Sequence, residues 1–274
     1  MTIADTAVRL APAPRKTRRS IADVLAPLDQ IAANSANLVA NHEARFEANG
    51  ERYVLPRYLF VGPRGGDTPV RIGIFAGLHG DEPEGVHALV QFVKLLEARP
   101  ELAAGYYLSL YPICNATGFE DGTRLSRSGK DLNREFWKNS SEPEVRLLEA
   151  ELQSRSFQGL IALHTDDTSE GFYGFARGAV LTKHLIEPAL QAAEKYLPRN
   201  ENPVIDGFNA RRGVIRESYE GILAAPPKLR PRPFEIILET PAVPPDYLKE
   251  LALVAALQTI LVEYNKFIAY APNL

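Results

Sequence analysis

The sequence predicts an α/β protein with a doubly wound, mostly parallel mixed sheet and helices on both faces. Short, nearly continuous apolar runs alternate along the chain with segments of helical periodicity, as expected for strands buried between crossover helices. Polar residues follow directly after three of these runs, where open α/β sheets place their ligands. The 274 residues, 45% of them hydrophobic, can bury a full core.

The first quarter of the chain contains a tail, a helix and a hairpin. Residues 1–19 are rich in proline, alanine and arginine and predict a disordered basic tail, followed by one domain over residues 20–274. Apolar residues within 20–44 recur at helical spacing behind the cap residue Ser20, which predicts a helix. Residues 45–62 surround an Asn-Gly turn and predict a β-hairpin or two edge strands.

The remaining elements alternate between strand and helix. Strands are predicted at residues 70–76, 106–111, 158–163 and 234–238, and helices at residues 84–97, 142–154, 179–196 and 244–267. No packed element is predicted for the long polar segment 115–141. Loops of that length in a compact domain are usually functional or disordered, so this segment is a candidate part of the site.

Charge and composition exclude several classes of function. A net charge of −3 and a pI near 6.0 argue against a nucleic-acid partner, which would require clustered lysine and arginine. The sequence has neither a signal-peptide core nor 18 uninterrupted apolar residues, so no membrane partner and a cytoplasmic location are expected. Cys114, the single cysteine, is predicted to be buried and inert. No oligomeric state is predicted.

Two of the polar strand ends carry residue types that bind metal ions. His79 and Glu82 lie three residues apart in a glycine-rich turn after strand 70–76, and His164 ends strand 158–163. Delivered to one edge of a parallel sheet, they would form a His2Glu site with an open fourth position, which suits catalytic zinc. The alternative is a helix-capping loop with solvated charges, together with a structural histidine.

A third strand end and the long polar loop add acid–base and anion-binding groups. Glu239 ends strand 234–238, where a buried carboxylate is costly unless it is paired or used, and beside a zinc-activated water it would serve as general base. Arginines in segment 115–141 present a planar fork that suits a carboxylate or a developing oxyanion. The alternatives are a surface glutamate that closes a strand and a solvated charged loop.

Six motifs in order resemble the zinc carboxypeptidase (funnelin) superfamily. They are His79-x-x-Glu82, Asn115-x-x-Gly118, Gly122-Thr123-Arg124, Asp131-Leu132-Asn133-Arg134, His164 after a strand, and Glu239-Thr240-Pro241. The match runs from about residue 70 to the C-terminus. It is closest to small bacterial carboxypeptidases related to the rapid encystment phenotype protein, and more distant from the succinylglutamate desuccinylase/aspartoacylase branch.

The resemblance implies an α/β/α catalytic domain with one zinc ion per chain on His79, Glu82 and His164. It implies that Glu239 is the general base and acid, and that Arg124 stabilises the oxyanion, a role for which Arg127 competes. It further implies that Asn133 and Arg134 hold a terminal carboxylate. Tyr219 is a candidate substrate cap. Three positions depart from the family pattern, with Ala116-Thr117 in place of Pro-Asp and Glu135 in place of a common asparagine.

The resemblance favours a zinc metallocarboxypeptidase that hydrolyses the C-terminal peptide bond of peptides. An N-acyl amino acid deacylase is the second choice, because the succinylglutamate desuccinylase/aspartoacylase branch usually carries a further β-rich C-terminal domain, whereas the 35 residues after Glu239 predict one helix. A third choice from a different class is a non-catalytic protein that binds a carboxylate on the same fold. Under the first two interpretations, the substrate is a peptide or a small N-acyl amino acid with a free carboxylate.

Overall fold

A computed structural model describes residues 18–64 and 68–270 of the chain. The helices are α1 Ile21–Ala32, α2 Glu84–Ala98, α3 Ala116–Asp121, α4 Pro143–Ser154, α5 Thr182–Ala193 and α6 Asp246–Tyr270. The strands are β1 Leu38–Asn41, β2 Arg45–Ala48, β3 Glu51–Val54, β4 Arg57–Val61, β5 Val70–Phe75, β6 Tyr106–Tyr111, β7 Gly159–Asp166, β8 Tyr173–Gly178, β9 Val204–Ile205, β10 Phe208–Arg211, β11 Val214–Ile215 and β12 Phe234–Pro241.

Ten strands form one mixed sheet in the order β1-β4-β6-β5-β7-β12-β8-β11-β10-β9. The four central strands β6, β5, β7 and β12 are mutually parallel. Antiparallel pairing dominates the flanks, where β4 pairs with β6 and β8 pairs with β12. The predicted fold class is confirmed, and the parallel character is concentrated in the centre, where the polar strand ends lie.

Helices cover both faces of the sheet. On one face, helices α1, α2, α5 and α6 pack on the apolar side chains of β5, β7 and β12 to form the largest core cluster. On the other face, α4 and buried side chains of segment 115–141, such as Leu132 and Phe136, form a second cluster. A third cluster lies at the β8–β11 end of the sheet.

The first elements differ from the sequence prediction in length. Helix α1 begins behind Ser20, whose side chain accepts a hydrogen bond from the backbone N–H of Asp23, but it ends at Ala32 and not near residue 44. The Ser35 hydroxyl then accepts the backbone N–H groups of Asn37 and Leu38, which turns the chain into β1. The predicted hairpin is present as a separate two-stranded sheet of β2 and β3.

The long segment 115–141 is more structured than predicted. It contains the short helix α3, which Asn115 caps by accepting the backbone N–H of Gly118, and a 3₁₀ turn at Leu132–Arg134. Strand β8 and the short strands β9, β10 and β11 were not predicted either. Cys114 is fully buried, as predicted.

Residues 1–17 of the predicted basic tail lie outside the described residues. Arg18 and Arg19 are described, and both contact the folded domain. Arg18 pairs with Glu51, and Arg19 donates from Nη1 to the backbone oxygen of Gly80 at 2.7 Å. Within residues 18–64 and 68–270, every helix is too short or too polar to cross a bilayer. The cytoplasmic location stays a prediction.

A buried ion pair fastens the last helix to the loop beside the strand ends. Lys249 on α6 lies 2.7 Å from Glu84, the first residue of α2, and both side chains are at least nine-tenths buried. The second oxygen of Glu84 accepts a hydrogen bond from the hydroxyl of Thr165 at the end of β7. The pair therefore links α6, α2 and β7 at one point.

Lys249→Met is expected to destabilise the protein by about 3–5 kcal/mol, because it leaves the Glu84 carboxylate buried without its cation. Urea unfolding at pH 7 measures this difference. The double variant Glu84→Gln/Lys249→Met, which removes both charges, should recover more than half of the loss. A cost in the single variant of less than about 1 kcal/mol, the range of an exposed pair, would contradict the importance of the contact.

Candidate metal centre and active-site cavity

The register of the central strands brings the predicted site residues to one edge of the sheet. Strands β7 and β12 are parallel, with Glu239 directly opposite His164, and β12 and β8 are antiparallel, with Glu239 directly opposite Tyr173. Side chains in register on neighbouring strands point to the same face. This face is opposite to the one that packs on α2, α5 and α6, so the three side chains lie together above the sheet.

The loop after β5 supplies the other two candidate ligands. Gly77 has a positive φ of 60°, and it lies beside the segment after β6, where the backbone N–H of Asn115 donates to the Gly77 oxygen. At Gly80 the two loops touch, and a Cβ added there would lie 1.9 Å from the backbone carbon of Gly118. Only glycine permits this approach. His79 and Glu82 are thereby held above the end of β7, and α2 begins two residues after Glu82.

Three buried side chains converge to form a candidate metal centre. Glu82 Oε1 lies 2.6 Å from His79 Nδ1, and Glu82 Oε2 lies 2.9 Å from His164 Nδ1. The two Nδ1 atoms are 3.2 Å apart. Each of the three residues is less than 10% exposed. Two imidazole nitrogens and a carboxylate around one point match the donor set of catalytic zinc, so these residues fit that ion.

The electrostatics of His164 and Glu82 favour the protonation states that a cation needs. Burial lowers the pKa of His164, which favours the neutral imidazole. Burial opposes ionisation of Glu82, but its interactions with His164 and His79 outweigh burial and lower the pKa of Glu82. A neutral imidazole and an ionised carboxylate are the metal-binding forms of these side chains.

A second carboxylate stands behind His79. Asp131 Oδ1 lies 3.2 Å from His79 Nε2, and the backbone N–H of Asn133 donates to the same oxygen at 2.9 Å. Burial of the His79 ring favours its neutral form, but hydrogen bonds with Asp131 and Glu82 outweigh this and raise its pKa. Such carboxylate–imidazole contacts orient metal-binding histidines. The motif containing Asp131 was recognised in the sequence, but this role was not.

Glu239 faces the candidate metal centre without a partner of its own. Among the described residues, no side chain donates a hydrogen bond to its carboxylate or forms an ion pair with it. Burial raises its pKa well above the usual range, and the carboxylates of Glu82, Asp166 and Asp206 add to this effect. An unpartnered carboxylate that lines the cavity is placed to exchange a proton with a bound molecule.

Arg124 and Arg127, the two candidates for the oxyanion role, have different positions. Arg124 lines the cavity, with Nη1 3.7 Å from Glu82 Oε1 and Nη2 3.2 Å from Asp131 Oδ2. Arg127 points away and is 15% exposed. Its guanidinium is bound to the carboxylates of Glu51, Glu120 and Asp121. The geometry therefore leaves Arg124 as the one of this pair that can reach a bound molecule.

Asn133 and Arg134 lie next to each other at the cavity wall. Asn133 is 6% exposed, and its Oδ1 accepts the backbone N–H of Leu223. Within the described part of the chain, the one polar contact of its amide nitrogen is with His164 Nε2, at 3.5 Å. The Arg134 guanidinium donates to the Asn133 backbone oxygen and stacks on Tyr219, with Cζ 4.1 Å from the ring centroid. Arg134 has no carboxylate partner among the described residues, so its outer N–H groups are free for a ligand.

These groups share one cavity of about 550 Å³. The predicted residues that line it are His79, Glu82, Arg124, Asn133, Arg134, His164, Tyr219 and Glu239. Sequence reasoning missed Tyr173, Asp166 and Asp206, which also line it. Asp166 follows His164 by two residues, a proximity that could have indicated it. Asp206 belongs to an Asp-Gly pair, which is a hairpin signal that was not used.

Comparisons with known proteins agree with this geometry. The family model of the succinylglutamate desuccinylase/aspartoacylase catalytic domain matches residues 70–204. No curated protein matches the sequence significantly. Among solved structures, a candidate metallopeptidase from Shewanella denitrificans OS217 is 23% identical with a TM-score of 0.73, and the alignment covers 88% of this chain and 89% of that one.

Two metallo-carboxypeptidases are also similar in structure. The enzyme from Burkholderia cenocepacia is 15% identical with a TM-score of 0.71, over 91% of this chain and 70% of that one. The enzyme from Pseudomonas aeruginosa is 16% identical with a TM-score of 0.66, over 90% and 70%. The chain thus has the fold of these metallo-carboxypeptidases, and residues 70–204 match the succinylglutamate desuccinylase/aspartoacylase catalytic domain, which confirms the resemblance predicted from the sequence motifs.

Proposed function

We propose that the protein is a zinc-dependent metallocarboxypeptidase that hydrolyses the C-terminal peptide bond of its substrate. One observation carries the proposal. The buried convergent set His79, Glu82 and His164 shares a cavity with an unpartnered carboxylate, Glu239, and an unpartnered guanidinium, Arg134. A metal centre, a base and a carboxylate anchor are the parts that removal of a C-terminal residue requires.

His79, Glu82 and His164 would hold the ion, at one per chain. Bound there, zinc would supply Lewis acidity toward the scissile carbonyl and toward the attacking water. Asp131 keeps the His79 ring oriented. Because hydrogen bonds with Asp131 and Glu82 outweigh burial and raise the pKa of His79, a metal ion competes with a proton for that ring, and its affinity is expected to increase with pH.

Glu239 would move the proton. Its carboxylate takes a proton from the water that attacks the carbonyl carbon, and it returns this proton to the amine nitrogen as the C–N bond breaks. Burial and neighbouring carboxylates raise the pKa of Glu239, which makes it a stronger base than an exposed glutamate. The guanidinium of Arg124 lies beside Glu82 and stabilises negative charge that develops on the carbonyl oxygen.

Asn133 and Arg134 would hold the terminal carboxylate. A guanidinium can donate two parallel hydrogen bonds to a carboxylate, and the amide nitrogen of Asn133 adds a third donor. Tyr219 stacks on Arg134 and fixes the plane of the fork, and its ring lines the cavity, where it can cover the bound residue.

An N-acyl amino acid deacylase is the second candidate. The match of residues 70–204 to the desuccinylase/aspartoacylase catalytic domain favours it specifically. The metallo-carboxypeptidase from Pseudomonas aeruginosa is in complex with (2-guanidinoethylmercapto)succinic acid, a small ligand with two carboxyl groups and a guanidinium. Under both candidate functions, Asn133 and Arg134 would bind a free carboxylate of the substrate. A non-catalytic carboxylate binder is disfavoured, because it would not need Glu239 or the convergent metal ligands.

Purified protein is expected to contain about one zinc ion per chain, and His164→Ala is expected to lose it. Elemental analysis measures the content. Added zinc should raise the melting temperature of the wild type and not that of the variant, because a ligand stabilises the state that binds it. His87→Ala, which removes a partly exposed histidine on α2, is the control. Full zinc retention in His164→Ala would remove this residue from the ligand set.

Glu239→Gln is expected to keep zinc while turnover falls by about 10²–10⁴-fold, because the amide preserves the shape and removes the base. Zinc content and kcat on the same preparation separate the two effects. Glu217→Gln, at an exposed position, is the control and should behave as the wild type. Activity near the wild-type level in Glu239→Gln would eliminate the assigned proton transfer.

A peptide with a free C-terminus is expected to be trimmed by one residue at least about thirty-fold faster than its C-terminal amide. The amide cannot accept the full guanidinium fork and leaves Arg134 without its partner. Measured kcat/KM for the two peptides gives the ratio, and an N-acyl amino acid series tests the second candidate in parallel. Arg134→Ala should bring the ratio near one by slowing only the acid, whereas the exposed control Arg52→Ala should not. Equal cleavage by the wild type would exclude carboxylate anchoring.

A further inference from the structure

The cavity contains carboxylates that the proposed reaction does not use. Asp166 and Asp206 both line it, and neither has a basic partner within ion-pair distance among the described residues. Glu84 and Asp131 have basic partners, since Glu84 binds Lys249 and Asp131 binds Arg124, whereas Asp81 and Asp167 line the cavity without an ion-pair partner among the described residues. An acidic surface that no protein cation neutralises therefore lies inside the same cavity as the free guanidinium of Arg134.

Asp206 is delivered into the cavity by a tight hairpin. It is the first residue of the Asp206-Gly207 turn between β9 and β10, with φ values of 51° and 78°. Asp-Gly is a preferred pair for such a turn, so the chain adopts it without unusual strain. The Asp206 carboxylate accepts a hydrogen bond from the hydroxyl of Tyr219 at 2.8 Å. This hydroxyl is a neutral donor, and Asp206 has no ion-pair partner among the described residues, although the charges of Arg134 and Arg124 act on it from a greater distance.

Asp166 has neutral donors only. It accepts from the hydroxyl of Tyr173 at 2.8 Å and from the backbone N–H and hydroxyl of Thr168. These contacts fix the carboxylate at the end of β7 without neutralising it. Burial raises the pKa of Asp206, and the charge of Asp166 adds to this rise, so the two carboxylates interact. A cation between them would relieve the repulsion.

Tyr219 connects the acidic surface to the carboxylate anchor. One face of its ring stacks on the Arg134 guanidinium, and its hydroxyl binds Asp206. The cationic group of Arg134 and the carboxylate of Asp206 are thus separated by the side chain of Tyr219. Close by is the amide nitrogen of Asn133, a residue more than nine-tenths buried, whose one polar contact among the described residues is the long one of 3.5 Å with His164 Nε2, so it can still donate to a ligand. A zwitterionic residue, with a carboxylate at one end and a cationic side chain at the other, complements this arrangement.

We infer that Asp166 and Asp206 form the specificity subsite of this cavity, and that the residue released from the substrate carries a cationic side chain of the lysine or arginine type. The inference rests on the proposed function, because Arg134 must hold the carboxylate of the same residue. The side-chain ammonium or guanidinium then lies between Asp206 and Asp166, where charge-assisted hydrogen bonds replace its hydration.

The test uses paired substrates that differ only in charge. N-benzoyl-glycyl peptides ending in arginine or in citrulline have nearly the same shape, and only arginine is cationic. The wild type is expected to cleave the arginine peptide with a kcat/KM at least about ten-fold higher, carried mainly by KM. N-acetyl-arginine and N-acetyl-citrulline serve as the matched pair for a deacylase. Peptides ending in phenylalanine and glutamate complete the set.

Asp206→Asn should bring the arginine-to-citrulline ratio down to about three-fold or less, because the charge is lost while the turn and the Tyr219 contact are kept. Asp166→Asn should act in the same direction. Asp23→Asn on the exposed first turn of α1 is the control and should leave the ratio unchanged. Zinc content and melting temperature are recorded for each variant, so that a folding defect is recognised.

The outcomes separate this inference from the proposed function. Cleavage without preference for arginine over citrulline, or with preference for glutamate, overturns the inference and leaves the carboxypeptidase proposal standing. If no substrate is cleaved, the same pairs are titrated into the wild type by calorimetry. Binding of the arginine compound at least about ten-fold tighter, lost in Asp206→Asn, supports the subsite although the proposed reaction fails. Equal binding of both compounds overturns it.

Discussion

The site depends on one constraint, the common direction of strands β5, β7 and β12. Because these strands are parallel and neighbours in the sheet, their carboxyl ends open at one edge, and His79, His164 and Glu239 are each within a few residues of that edge. The pairing of Glu239 with His164 fixes the position of Glu239 relative to the candidate metal centre through backbone hydrogen bonds. A slip of one residue in β12 would move Glu239 to the opposite face, among the side chains that pack on α6.

Two kinds of support hold the side chains that the strands deliver. Polar contacts orient them, as Asp131 does for His79 and the backbone N–H of Thr165 does for Glu82. Close packing restrains the loops that carry them, as at Gly80 against Gly118. The convergent ligands are all buried, so each lost contact would leave a polar group without water or partner. This explains how two imidazoles and a carboxylate can remain close together in a fixed arrangement.

The central part of this structure could be predicted from the sequence because its signals are local and strong. Apolar runs of five to seven residues define buried strands, and the residues that follow them must meet at one edge, so His79, His164 and Glu239 could be placed together. Asp206 could not be placed, since β9 and β11 have only two residues each and show no alternation. Helix α1 was predicted too long because apolar spacing continues past Ala32, and only the contacts of Ser35 reveal the turn. The sequence also left Arg124 and Arg127 equivalent, as their difference lies in distant partners such as Glu51.

The position of the β9–β10 hairpin has an evolutionary consequence. It forms the end of the sheet farthest from β5, and its tip reaches the cavity through one residue, Asp206. Strands at a sheet margin have few neighbours, so insertions and replacements there disturb little of the core. The candidate metal ligands with Glu239 and the proposed specificity residue Asp206 are therefore on separate portions of the scaffold. Related proteins could therefore differ in substrate selectivity through changes in the β9–β10 hairpin alone, while the central strands stay the same.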